Sequence, residues 1–166
     1  MDSFWYAINV RSRHEFKVLD RLSKLKVEAF LPIVERLRQW KDRKKAVNFP
    51  LFPCYIFVHI HDNREDRLAV LKITGVVKFL GMIRGRPEPI PEEQIISLKR
   101  LVESKEPLDP YPYLKEGQRI RIRSGLLAGI EGMLVEKLGQ HKLVLSVDVL
   151  KQGAAVEIDA SDVERI

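Results

Sequence analysis

Apolar positions along this chain change period several times, and each change marks an element. Phe4–Val10 is rich in aromatic and β-branched residues and predicts a strand. From Arg13 to Leu25 the period lengthens: Phe16, Val18, Leu19, Leu22 and Leu25 share one helical face, with Arg13, Lys17, Arg21 and Lys24 opposite. Ser12 and Glu15 have the spacing of a capping box, in which the serine oxygen takes an N3 amide and the glutamate reaches back to the N-cap amide. Glu28–Val34 and Ala46–Phe49 predict the arms of a hairpin whose tip is Arg36–Lys45. Cys54–Ile60 predicts a strand, and its unbroken apolar start points to a central, doubly covered position. Asp62 or Asn63 is placed to cap a helix running through Ile73, with Gly75 as its C′ residue. Val76–Leu80 predicts a further strand, and Pro91 opens a last helix with Glu92 and Glu93 near its positive end. The order β-α-β-β-β-α-β-α implies a sheet with helices packed on it.

The pattern then breaks. Pro107, Pro110 and Pro112 crowd residues 105–113, a density that disfavours helix and ladder and predicts a semi-rigid linker, on the order of 30 Å long at roughly 3.1 Å per residue. Beyond it the period is two: Ile120 and Ile122 alternate with Arg119, Arg121 and Arg123. Met133–Glu136, Leu143–Val147, Ala155–Ile158 and Val163–Ile166 follow as short strands, with glycines between them or at their ends. Such strands bury their apolar faces by curling into a small barrel. The expected division is residues 1–104, a linker 105–113, and residues 114–166.

Charge and composition sharpen this picture. The chain has 166 residues, is 45% hydrophobic, and carries a formal charge of +6. Bases and acids balance from Lys115 onward, so the excess lies in the first part and favours a polyanionic partner there. No apolar run approaches the ~20 residues that span a bilayer, and the start reads as a strand and not a signal peptide, so the expectation is a cytoplasmic protein with no membrane role. Cys54 is the one cysteine, which excludes an internal disulfide. His59 and His61 face one side of a strand but lack a third ligand nearby, so no metal is expected. Gly125–Gly132 lacks the Gly-Lys-Ser/Thr ending of a phosphate loop, and no nucleophile elbow, zinc-protease or dinucleotide fingerprint occurs. Neither an enzyme nor a cofactor is expected.

Three stretches carry a family resemblance. The first is Trp5-Tyr6-Ala7-Ile8-Asn9-Val10. The second is Phe49-Pro50-Leu51-Phe52-Pro53-Cys54-Tyr55-Ile56-Phe57-Val58, similar to a Phe-Pro-Gly-Tyr-Val-Phe-Val segment. The third is Gly117 to Gly132 with its strand flanks, which resembles a KOW motif. Together they resemble the NusG family of transcription factors over nearly the whole chain. Within it, residues 38–45 and the Pro-Tyr-Pro-Tyr joint are similar to specialised paralogues of the UpxY and RfaH type. The resemblance implies an α+β protein: a NusG N-terminal (NGN) mixed α/β sheet module plus a small C-terminal SH3-like β-barrel (KOW). It implies an elongation or antitermination factor whose first module binds the clamp helices of the largest RNA polymerase subunit, suppressing pausing or termination. The KOW module would recruit a small-subunit ribosomal protein or Rho. The competing reading is a ribosome- or RNA-binding KOW protein with no polymerase role.

The resemblance also implies site residues, each with a plainer alternative. Phe52, Tyr55, Phe57 and Phe79 would grip the polymerase clamp helices, since buried aromatics anchor interfaces; the alternative is core. Strand alternation puts Tyr55 and Phe57 on one face and Cys54, Ile56 and Val58 on the other. Cys54 stands where the family usually has Gly, and a buried inert thiol is expected. Arg11, Arg13, His14, Lys17 and Arg21 correspond to the strand end and helix start that touch the non-template DNA strand in specialised relatives; the alternative is a solvated helix face. Ser12 and Thr74 replace Arg of some of those relatives. The bases around Trp40 at the hairpin tip suit DNA or polymerase, or merely solubility. Leu150 falls where the housekeeping factor docks its partner through an aromatic; core packing is the alternative.

Overall fold

Strand β1 (Ser3–Val10) is followed by helix α1 (Glu15–Lys24), β2 (Glu28–Phe30), a β3 (Ile33–Gln39) and β4 (Lys44–Pro50) ribbon, β5 (Tyr55–His61), α2 (Arg64–Leu71) and β6 (Val76–Phe79). The computed structural model describes residues 2–114 and 116–166, so Met1 and Lys115, which fall in the expected first and last domains, lie outside the described residues. The chain forms two compact units, Met1–Glu92 and Glu93–Ile166.

In the first unit the sheet order is β2-β5-β1-β6, every pair antiparallel. β5 is interior, as its apolar start predicts. One sheet face carries Tyr6, Ile8, Val10, Ile56, Val58 and Ile60, packed in one cluster with Val18 and Leu22 of α1 and Val70 of α2. The α1 face is narrower than the sequence suggests: Val18 and Leu22 are buried, but Phe16 and Leu25 are exposed. Asn63 caps α2 by accepting the Asp66 amide at 2.7 Å. The helix ends at Leu71 with Lys72 as its cap, so Gly75 is not a C′ residue; it turns the chain into β6 at φ +103.

The hairpin is longer than expected. Pro32 follows Leu31 where β2 leaves the main sheet, and β3 and β4 then pair from Ile33–Pro50 to Gln39–Lys44. Most of the basic residues expected at a tip thus lie on paired strands, and only Trp40–Arg43 turns, closed by the Trp40 amide on the Arg43 carbonyl at 2.7 Å.

The second unit adds helix α3 (Glu92–Glu103) and strands β7 (Leu108–Pro112), β8 (Arg119–Ile122), β9 (Glu131–Lys137), β10 (Gln140–Val147), β11 (Gln152–Ile158) and β12 (Val163–Arg165). They form a six-stranded sheet ordered β12-β8-β9-β10-β11-β7. The architecture is α+β, with a β-rich carboxy-terminal part consistent with a KOW module. Two expectations fail here. The proline-rich segment is not a linker: β7 pairs with β11 from Leu108–Val156 to Pro112–Gln152. An edge strand tolerates proline when the missing N–H faces away from the ladder, and Pro110 and Pro112 share one parity. The division also falls earlier than residue 104, because α3 bonds to the second unit, Arg100 donating to the Leu126 carbonyl at 2.9 Å and Gln94 to Asp148 at 3.2 Å. Across β8, Arg121 bonds Glu131 at 2.7 Å and Glu164 at 3.0 Å. Those bonds raise the guanidinium pKa, and the bond from Arg121 holds the Glu131 carboxyl below its ordinary value. Among the described residues no helix is long and apolar enough to cross a membrane.

Candidate functional site

The four aromatics expected to make one patch do not share a face. Antiparallel register places Ala7 opposite Phe57 and Asn9 opposite Tyr55, but Ile8 opposite Phe79. Phe79 therefore turns to the helix-covered side, where its ring meets Tyr6 edge-on at 6.2 Å. Tyr55 and Phe57 lie on the other side, with Trp5, His59 and Phe30. Phe57 is buried and stacks on Phe30 at 6.0 Å, and Phe52 is buried as well. Tyr55 is half-buried, the one member of the set that keeps substantial access to solvent. Sequence reasoning missed Phe30, whose place against Phe57 depends on β2 joining β5. On the same side Trp5 stacks on His59 at 4.8 Å, and Glu28 meets the His59 Nδ1 at 2.8 Å. The histidine is engaged with a carboxylate and a ring, and among the described residues no group of three or more His, Cys, Asp or Glu is placed to hold a metal.

Tyr55 is positioned by the turn before it. Cys54 sits at φ +72, a left-handed conformation that favours glycine, which accounts for the glycine of the similar segment. The turn is held at both ends of the Cys54 peptide. Its amide donates to Glu15 Oε2 at 3.0 Å, and its carbonyl accepts from Val10 N at 2.8 Å and Asn9 Nδ2 at 3.2 Å. Glu15 is buried, and the capping-box expectation fails because this carboxylate is spent on a residue far along the chain; His14 is the N-cap residue and makes no side-chain cap. The thiol is partly exposed and not buried. Cys54→Gly is expected to stabilise the protein by about 0.5–1 kcal/mol, the relief of left-handed strain exceeding the added chain entropy. Urea denaturation checks this; a loss of stability would show that the thiol packs favourably.

The same turn adjoins the basic residues. Arg11, Arg13 and Lys17 are exposed, and Arg13 is itself left-handed at φ +64. His14 is partly buried with its Nδ1 2.9 Å from the Ser12 carbonyl. Arg21 donates to the Thr74 carbonyl at 2.5 Å, and the Arg11 amide to the Gly75 carbonyl at 2.8 Å. Arg21 thus ties the helix to the β6 turn, while Arg11, Arg13 and Lys17 present charge to solvent. On the ribbon, Lys45 lies over the exposed Trp40 ring at 5.3 Å and Arg38 over Phe49 at 4.8 Å. In the second unit Leu150 is 6% exposed. The single-turn helix Asp148–Leu150, closed by Lys151 at φ +54, turns it inward, so the packing alternative holds and the exposed-anchor reading does not.

Comparison with known proteins fits this arrangement. The family model NusG, "Transcription termination factor nusG", matches residues 3–99, which include the whole first sheet. The chain belongs to the NusG family. The NusG "Transcription termination/antitermination protein" of Borreliella burgdorferi is 26% identical over 186 residues, covering all of both chains. That of Staphylococcus carnosus is 27% identical over 98% of this chain and 95% of its own. That of Escherichia coli strain K12 is 26% identical over 97% and 95%. A solved structure, "Domain interaction in Thermotoga maritima NusG", has the same fold over 100% of this chain and 98% of its own, with a TM-score of 0.56 at 24% identity. These similarities extend across both units and make the chain a relative of NusG termination/antitermination factors along its full length.

Proposed function

We propose that this chain is a non-enzymatic elongation and antitermination factor. Its first unit docks on the clamp helices of the largest RNA polymerase subunit through the sheet face bearing Tyr55, and suppresses pausing or termination. Full-length similarity to termination/antitermination proteins supports the reading. The observation that carries it is the half-buried Tyr55 on β5, with buried Phe57 stacked on half-buried Phe30 on the same face. An aromatic ring on a rigid apolar floor suits an interface anchor. Arg11, Arg13 and Lys17, beside the Cys54 turn, brace the displaced non-template strand through its phosphates without reading bases. The second unit recruits another protein, a small-subunit ribosomal protein or Rho.

The test is recovery of core polymerase on the immobilised full chain. Tyr55→Ala is expected to weaken binding about tenfold or more, and Tyr55→Phe by no more than about twofold, because the ring and not the hydroxyl fills the contact. Both variants must keep the wild-type circular dichroism spectrum. Undiminished recovery with Tyr55→Ala would overturn the assignment.

A further inference from the structure

A second surface in the first unit is open, apolar and basic. Leu68 and Leu71 of α2, Val77 of β6 and Met82 are 38%, 39%, 51% and 53% exposed, and with Phe79 they line a groove of about 380 Å³. Its charged lining is Arg64, Arg67 and Lys78, with no carboxylate. Arg67 is tied to Asp62 at 2.8 Å, whereas Arg64 and Lys78 are exposed. Phe79 belongs to the helix-covered side of the sheet, opposite Tyr55, while Lys78, paired with Asn9 on the edge strand β6, has the other parity.

We propose that this groove receives an acidic amphipathic helix of a protein partner. Exposed aliphatic side chains grouped around one cleft cost solvation unless something covers them. A helix laid in a groove contributes apolar anchors at i, i+3, i+4 and i+7 from one face. Its flanking carboxylates would meet Arg64 and Lys78, whose charges steer the approach and set the orientation. A second copy of this chain is disfavoured, because pairing this face with itself would oppose like charges. A nucleic acid is disfavoured because the floor offers leucine, valine and methionine, while base stacking calls for exposed aromatic or guanidinium planes. Met82 adds an adaptable side chain at the rim, suited to the irregular surface of a helix.

The probe is a fluorescein-labelled helical peptide with leucines at i, i+3, i+4 and i+7 and glutamates elsewhere, titrated with the full chain by anisotropy. Saturable binding is expected, weakened at least about tenfold by Val77→Glu with Met82→Glu and by Arg64→Glu, weakened by added salt, and unchanged by Lys41→Glu on the ribbon. Val77 and Met82 are half exposed, so the paired substitution leaves the core intact, and the single Arg64 substitution supplies a second reading. The proposal is overturned if the peptide does not bind, if the paired variant binds it equally, or if a peptide with lysines for glutamates binds as well. Displacement of the acidic peptide by a single-stranded oligonucleotide that itself loses affinity in the paired variant would assign the groove to nucleic acid and would also overturn it.

Discussion

Gly75→Ala is expected to destabilise the first unit by about 2–4 kcal/mol, combining backbone strain with overpacking. Gly75 holds φ +103, outside the range that side chains accept, and a Cβ there would lie 2.7 Å from Val18 Cγ2. Val18 is fully buried between helix and sheet and has nowhere to move. The turn also closes a circuit: the Gly75 carbonyl accepts the Arg11 amide, and the neighbouring Thr74 carbonyl accepts Arg21. Forcing the turn open would separate the end of β1 from the start of β6 and release Arg21 from its anchor. The melting temperature of this unit should fall by roughly 10–20 °C, read by circular dichroism or calorimetry. A change below about 0.5 kcal/mol, the level of an ordinary surface substitution, would show that Val18 and the turn yield freely.

Gly132→Ala is expected to cost about 2–3 kcal/mol for a different reason. Gly132 has no positive φ, so backbone strain contributes nothing. The obstacle is space: a Cβ would sit 2.7 Å from the Val144 carbonyl oxygen and within 2.9 Å of the Leu143 side chain. Val144 cannot retreat, because β10 is paired on one side with Met133 and on the other with Ala155. Hydrogen exchange should therefore show protection lost across β9 and β10 while β1 and β5 stay protected. Uniform loss of protection in both units, or none in either, would contradict this account.

These two glycines show where sequence reading succeeded and where it stopped. Aromatic and β-branched runs located β1 and β5, alternation located β8, and cap chemistry located α2 through Asn63, because those signals are local. Gly132 precedes the strand expected at Met133–Glu136, yet it lies inside β9 and is fixed by a carbonyl on the next strand. Ser12 and Glu15 matched a capping box, but the Cys54 amide won the carboxylate, and no window of neighbouring residues reports that competition. Phe79 and Tyr55 fell on opposite faces because the β1–β6 register, with its irregularity between Asn9 and Val10, sets which side Phe79 takes. Tyr55 and Phe57 were correctly placed together because they lie on one strand, where parity alone decides. Leu150 was weighed as a partner contact, but the single turn Asp148–Leu150 leaves it buried, which no local pattern reports.

The prolines of β7 have a further consequence for how this protein behaves in a crowded solution. A terminal strand with bare amides is a template on which other chains can accrete. Here Pro110 and Pro112 occupy alternate positions of the outermost strand, and neither has an amide hydrogen to offer a newcomer. The opposite rim, β12, is only three residues long. Residues that look like a spacer in the sequence thus act as a stop, letting a small sheet end without inviting fibrous growth.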